Sequence, residues 1–548
     1  MKRRPKKVIS CLTVTFTLIV ILIAACKRNK VTNIQQVPGV SGQHNSVVTQ
    51  HNNNYRTGWN NNETQLTVNN VKPDSFGLVF SMNVDDQVYA QPLIVGNLSI
   101  QNASHNVVFV ATVNNSVYAF DGDNGKLYWN KNYTRAGLRT VKNTDMTGAC
   151  GGGYTNFSGN MGIVGTPVID TVGKFIFFVT RSTDGRIYYQ ELHKVNLSDG
   201  SDVINPVLIS ATYQGTGDGS VSGQITFDPQ KQNQRAALTL SNNKVIITWS
   251  SHCDWGPYHG WVIGYDASTL TQKFVFNTTP NDGDGGIWES GQGLSVDDQG
   301  NLLLAVGNSN NNLNDGVDFG ESTIELNVNG NNPVVSSYFT PYNAQYLNQN
   351  DLDMGSLGSL LIPKTKYFFA GAKDGSLYLL DKDNMGGYNS ASNNIVQQLN
   401  LNNSNANEHC QAAYYENTSG AFITLWSEND PLRTFQFNGS ALAGPASANL
   451  SSGPVGQNGA MISVSSNGLN NAIIWATHAQ PPGDAESSVS AGIVRAIDGS
   501  NINHELWNSN MISSDYVGKY AKFASPTIAN GHVYVPTFSN AVKVYGLK

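Results

Sequence analysis

From Phe76 to the C-terminus, apolar and polar positions alternate in short runs, and turns rich in Gly, Asn and Asp close them. Alternation with a period of two, broken by such turns, predicts β-strands joined as hairpins. Val108 to Trp129 (VFVATVNNSVYAFDGDNGKLYW) holds two such runs and ends on a tryptophan. The order strand, polar turn, strand, Asp-containing turn returns at Ile176 to Asp199 (IFFVTRSTDGRIYYQELHKVNLSD), at Tyr367 to Asp383 (YFFAGAKDGSLYLLDKD) and at Val533 to Leu547 (VYVPTFSNAVKVYGL). Looser copies run from Gly260 to Phe276 and from Gly492 to Trp507. A unit that recurs at this period buries its faces only against its neighbours, which predicts a propeller or a solenoid.

Each copy follows another short apolar strand, opened in three places by a residue-proline pair: Gln91-Pro92, Thr166-Pro167 and Ser525-Pro526. Proline has no N–H and is tolerated at the first position of a strand. Four antiparallel strands per unit make a propeller blade. Leading strands near Gln91, Thr166, Ala237, Leu294, Leu357, Ala412, Met461 and Ser525 predict eight blades, with seven the alternative because the sixth and seventh units are weak. The last unit runs out of chain after three strands. Phe76 to Val84 is placed to supply the fourth, closing the ring and removing an open edge. The expected fold is therefore all-β, an eight-bladed propeller over residues 51–548.

The N-terminus breaks this pattern. Five Lys and Arg precede an apolar segment from about Val8 to Ala25, which reads as a secretory signal and not as structure. Its end, Ile23-Ala24-Ala25-Cys26, resembles the bacterial lipobox, which makes Cys26 a lipidated N-terminus; a plain transmembrane anchor is the alternative. Residues 1–26 are thus expected as signal peptide and 27–50 as a polar tether. Lys27, not Asp, follows the cysteine, which favours an outer membrane where the cell has one. Losing the five basic residues takes the net charge from −6 to −11. An acidic, Arg-poor chain argues against nucleic-acid partners, whose phosphates need neutralising. Past Cys26, only Cys150, Cys253 and Cys410 remain, so at most one disulfide forms; the pairing is open and no metal-type spacing is present. Asn-rich runs such as Asn308 to Asn312 and Asn402 to Asn407 are expected as loops between blades.

The units resemble the quinoprotein-type repeat, most closely at Asn115 to Trp129 (NSVYAFDGDNGKLYW) and Asp374 to Asp381 (DGSLYLLD). Asn52 to Val71 (NNNYRTGWNNNETQLTVNNV) resembles the lead-in before blade one of many secreted propellers of this superfamily. GIVGTPVID, FDPQKQNQRAAL, SHCDWGPYHGWVIGYDAS and DNMGG are similar to a bacterial group of secreted PQQ-like propellers. The resemblance spans nearly all of residues 51–548 and implies the quinoprotein alcohol dehydrogenase-like fold. It implies two kinds of function. Quinoprotein dehydrogenases hold pyrroloquinoline quinone (PQQ) in the channel with calcium, a catalytic Asp, a tryptophan floor and often a vicinal disulfide. Outer-membrane assembly lipoproteins share the propeller and the anchor, carry no cofactor and bind other proteins. Where such enzymes place adjacent cysteines, this chain has TGACGGGYTN, with Gly151 after Cys150, so a vicinal disulfide cannot form.

Propeller sites collect where the innermost strands begin and the loops of that face converge. Gln91, Thr166, Trp288, Glu289, Asp353, His409, Gln457 and Lys522 are placed there. Trp288 is the candidate to stack on a flat ligand, Glu289 and Asp353 to hold a cation, and Asp353 to act as catalytic residue; the alternative is that all of them satisfy strand-end backbone groups along a water-filled channel. In SHCDWGPYHGW, His252, Asp254 and His259 are candidate metal ligands and His252 with Cys253 a candidate nucleophile pair, against a turn reading marked by Gly256-Pro257. Glu408-His409-Cys410 joins three reactive types, but strand neighbours alternate faces. The run Asp121 to Gly125 lacks the twelfth-position Glu of an EF-hand and reads as a hairpin turn; Asn281 to Gly286 offers Asp282 and Asp284, with nearby Glu289, as weak metal candidates. No phosphate loop and no Gly-x-Ser-x-Gly elbow is present. The leading expectation is a lipid-anchored propeller of the cell envelope, facing the periplasm or exterior, that binds an envelope protein, a polymer or a small ligand without cofactor or chemistry. The runner-up is a PQQ- and calcium-dependent dehydrogenase oxidising alcohols or sugars in the periplasm.

Overall fold

The computed structural model describes residues 44–548 apart from 312–314, 331, 402–406, 451, 452 and 454. The expected signal, Cys26, most of the tether and parts of the Asn-rich loops lie outside the described residues. Among the described residues, no helix is long and apolar enough to cross a membrane.

Eight four-stranded antiparallel sheets follow one another along the chain, some extended by one extra short strand, and the last takes its outer strand from before blade one. Blade one comprises Leu93–Ile100, Ala103–Ala111, Ser116–Asp121 and Leu127–Asn132. The innermost strands of blades two to seven are Val168–Asp170, Thr239–Ser241, Ser295–Val296, Leu360–Leu361, Ala413–Asn417 and Met461–Asn467. Blade eight holds Thr527–Ala529, His532–Pro536 and Ala541–Leu547. Its outer strand is Phe76–Asn83, paired antiparallel with Ala541–Leu547, so the two ends of the chain close the ring as the sequence predicts. The weak sixth and seventh units are complete blades, which fixes the count at eight.

Burial within each blade follows its position. Ser116–Asp121 is buried along its whole length between neighbouring blades, whereas the outer Leu127–Asn132 has no buried residue. Each neighbouring pair of blades shares an apolar cluster: Phe109 and Phe178 belong to that of blades one and two, Leu304 and Val262 to that of three and four, Trp475 and Val533 to that of seven and eight, and Val108 and Val544 to that of eight and one. The core is therefore a ring of interfaces around a central channel and not one central mass. The Asp-Gly run of blade one is spent locally: Asp121 Oδ1 accepts the Asp123 N–H at 3.0 Å within its own turn.

The channel carries a segment the sequence pattern did not reveal. Residues 45–60, of which 45–50 fall in the expected tether, form a strap that meets all eight innermost strands in order. Val47 exchanges backbone hydrogen bonds with Ile94 of blade one, and Val48 O accepts from Ile169 of blade two. Asn54 Nδ2 donates to Leu240 O of blade three. The carbonyls of Asn54, Tyr55, Thr57 and Gly58 then accept from Val296, Leu361, Tyr414 and Val464 of blades four to seven. Asn60 Nδ2 donates to Ile528 O of blade eight. Arg56 holds the strap together: fully buried, it donates to Leu294 O (2.9 Å), Thr49 Oγ1 (2.6 Å), Gln50 O (2.8 Å) and Thr239 Oγ1 (2.6 Å). Gly58 sits at φ +66 with Ala413 Cβ 3.2 Å from where its own Cβ would stand, a close approach that suits glycine.

Candidate functional site

The mouth of the channel lies where the innermost strands begin. Trp288 precedes the short 3-10 turn Glu289–Gly291 that leads into blade four, and Phe523 lies just before blade eight. Blades four and eight face each other across a ring of eight, yet these two rings meet edge to face, 5.7 Å between centroids. Trp288 also packs on His409 at 5.6 Å. The Arg235 guanidinium, from the segment before blade three, stands 4.4 Å from the Phe523 ring, 5.3 Å from Tyr89 and 5.2 Å from Phe157. Side chains from both sides of the ring thus close the axis. Glu289, Ser290 and Phe523 have φ values of 42, 48 and 65, left-handed backbone that non-glycine residues adopt at a cost of about 1–3 kcal/mol each.

Gln91 and Thr166 clasp strand ends. The Gln91 N–H donates to Thr166 Oγ1 at 2.9 Å, its Oε1 accepts the His51 N–H of the strap at 3.1 Å, and its Nε2 donates to Thr527 Oγ1 at 3.0 Å. His51 in turn sets Nε2 2.9 Å from Ile462 O, and burial pulls its imidazole down to about 4. Glu289 turns inward: Oε1 accepts the Ala305 N–H at 2.9 Å, and burial pushes its carboxyl up to about 8, moderated by Arg56. His409 Nδ1 lies 2.6 Å from Glu428 Oε1. Gln457 is half-buried at the mouth, and its Oε1 has no partner. Lys522 donates to the carbonyls of Ala485 (2.9 Å) and Glu486 (2.5 Å), and burial lowers it to about 7.

To one side of the axis, loops of blades three to five bring acids together. Asp353 Oδ2 pairs with Lys373 Nζ at 2.8 Å, and Lys373 also reaches Asp351 at 3.2 Å. Burial and the charge of Asp353 push Asp254 up to about 6, while burial, Asp254 and further acids push Asp284 up to about 7. Glu321, fully buried, accepts the Met354 N–H at 2.7 Å and is raised by burial and by Asp353. Asp353 Oδ1, Glu321 Oε1 and Asn308 Oδ1 are buried without partners. Hard cations take such oxygens, and the unpartnered ones here belong to Asn308, Glu321 and Asp353. Among the described residues, no three His, Cys, Asp or Glu side chains converge as a metal site. Asp282 lies apart in a backbone cradle, accepting the Asn311 N–H.

The run Ser251 to Trp261 divides its work. His252, fully buried, sits 2.8 Å from Tyr154 OH and 3.0 Å from Arg181 Nη1, and burial holds its imidazole well below the usual range. Cys253 is bonded to Cys150, with 5.4 Å between Cα atoms, so it is not a nucleophile beside His252. His259 faces the carbonyls of Thr279 and Asp218, both at 2.9 Å, and Asp254 accepts from Tyr258 OH at 2.7 Å. The proposed metal trio therefore has three separate sets of partners. Cys410 is free and buried; its Sγ points to Glu408 Oε2 (3.7 Å) while His409 points to Glu428. Arg235, Phe523 and Lys373 were not among the sequence candidates. The first two stand four positions before the innermost strands Thr239–Ser241 and Thr527–Ala529, in the region where Lys522 was placed.

No protein-family model and no curated protein matches the sequence. Solved structures match the fold. The quinohemoprotein alcohol dehydrogenase of Pseudomonas putida HK5 superposes with a TM-score of 0.53 at 13% identity, over 92% of this chain and 80% of that one. That of Comamonas testosteroni gives 0.53 at 12%, over 91% and 80%. A europium-containing methanol dehydrogenase gives 0.54 at 12%, over 92% and 98%. The chain has the eight-bladed propeller fold of the quinoprotein dehydrogenases.

Proposed function

We propose that this chain is an extracytoplasmic binding propeller of the cell envelope, lipid-anchored through Cys26, that takes an envelope protein, polymer or small ligand and catalyses no reaction. The observation that carries this reading is the closed axis: Trp288 and Phe523 meet from opposite blades at 5.7 Å above a channel that the strap already occupies. A flat tricarboxylated quinone needs a slot at that place, and the mouth as built does not fit it. The surface that remains is a rim of converging loops, the part of a propeller that varies to suit partners.

A quinone-dependent dehydrogenase is the second reading, favoured by one observation. The unpartnered oxygens of Asp353 and Asn308, with Lys373 beside Asp353, match the cation half of such a site. The aromatic half does not match, so no catalytic step is derived.

Titrating residues 27–548 with PQQ, with and without calcium, while following tryptophan fluorescence, separates the two. The binding reading expects no saturable response at tens of micromolar. Calcium-dependent quenching that weakens in Trp288→Ala or Asp353→Ala would replace it with the dehydrogenase.

A further inference from the structure

Arg235 is a buried cation without a counter-ion. It is 6% exposed, yet its guanidinium makes no hydrogen bond or ion pair with any described residue, and Nη2 is fully buried with no partner. The other buried arginines differ. Arg56 donates four hydrogen bonds, and Arg181 reaches His252 and Gln230 O (3.2 Å). Around Arg235 stand three rings, those of Tyr89, Phe157 and Phe523, and the Tyr520 hydroxyl is buried without a partner.

Ring faces attract a desolvated cation by less than the burial of its charge costs. The guanidinium is a planar fork of donors that pairs bidentately with a carboxylate. Lys522, next to Phe523 in the chain, donates to the carbonyls of Ala485 and Glu486. Phe523 touches Arg235 on one side and Trp288 on the other, and both aromatic side chains are half-buried, so they face the mouth as well as the guanidinium.

We propose that Arg235 is the receptor for the carboxylate of an aromatic or similarly flat apolar monocarboxylic acid, whose body rests against Phe523 and Trp288. This deepens, and rests on, the reading of the mouth as a binding site. The carboxylate supplies the acceptors that Arg235 lacks.

Benzoate is the probe and benzamide, of the same shape without the charge, its control, each titrated calorimetrically into the full chain. Benzoate is expected to bind at least tenfold more tightly than benzamide. Arg235→Lys, which keeps the charge but loses the fork, is expected to lower benzoate affinity tenfold or more with the circular dichroism unchanged. Equal binding of the two probes, or no binding of either at tens of millimolar, overturns the proposal, and that comparison needs no variant to fold. Loss of the benzoate preference with PQQ still unbound removes this inference and leaves the binding reading. Calcium-dependent quinone binding removes the binding reading, while the benzoate to benzamide ratio still decides the role of Arg235.

Discussion

Arg56 Nη2 and Thr239 Oγ1 stand 2.6 Å apart although 183 positions separate them, so the strap is bolted into blade three. Arg56→Met removes four hydrogen bonds, takes the guanidinium donor from the buried Gln50 carbonyl and leaves the Leu294 carbonyl only the longer bond from Thr239 Oγ1. The expected loss is about 4 kcal/mol or more, read as a lower urea midpoint. Arg56→Lys recovers only part of it, because an ammonium cannot span all four acceptors.

The disulfide joins the connection between blades one and two to a loop of blade three across 103 positions. Closing a loop of that length restricts the unfolded chain by about 4–5 kcal/mol in the chain-entropy account. Replacing both Cys150 and Cys253 by Ser is expected to lower stability by about 2–5 kcal/mol, and reducing the wild type should give the same thermal midpoint as the double variant.

Glu408 is fully buried, and burial pushes it up from 4.5 to about 8. The folded state therefore keeps a proton that the unfolded chain releases earlier. This contribution is complete below about pH 4.5 and is lost as the pH rises through 8. Glu408→Gln keeps an acceptor for Ser427 and removes the titration. Relative to wild type, the variant should gain about 1–3 kcal/mol between pH 5 and pH 9, measured by urea unfolding at each pH.

Lys373 is the cation among Asp351, Asp353, Glu321 and Asp254. Lys373→Met leaves a buried acid unpaired at an expected cost of about 3–5 kcal/mol near pH 8. Added calcium should raise the variant's thermal midpoint if the open oxygens of Asp353 and Asn308 accept a cation; an unchanged midpoint would assign them to packing alone.

The blades were legible because each repeats the same demands on its backbone, down to the Asp that caps its turn: Asp121, Asp266 and Asp498 each accept backbone N–H groups just downstream. Even the strand lent by Phe76–Asn83 follows from an unfinished last unit. The strap was not legible, since Gln50, His51, Asn54 and Asn60 form no periodic pattern and their partners lie far along the chain. Trp288, Asp353 and His409 were placed by lying where innermost strands begin. Arg235 and Phe523 lie in the same region of their units, but rings around a bare guanidinium become visible only when the segments before blades one, three and eight meet the connection between blades one and two. The pairing of Cys150 with Cys253 likewise depends on loops converging across the ring.

A strap whose successive residues reach all eight innermost strands in order is a gauge of circumference. Arrays of repeats gain or lose copies easily where each copy contacts only its neighbours. Here a ninth blade would find no strap residue opposite it, and a missing one would leave Asn54, Asn60 or a strap carbonyl facing nothing. The size of the ring is thus recorded outside the repeats, in a polar segment that has to be copied unchanged for any rearrangement of blades to succeed.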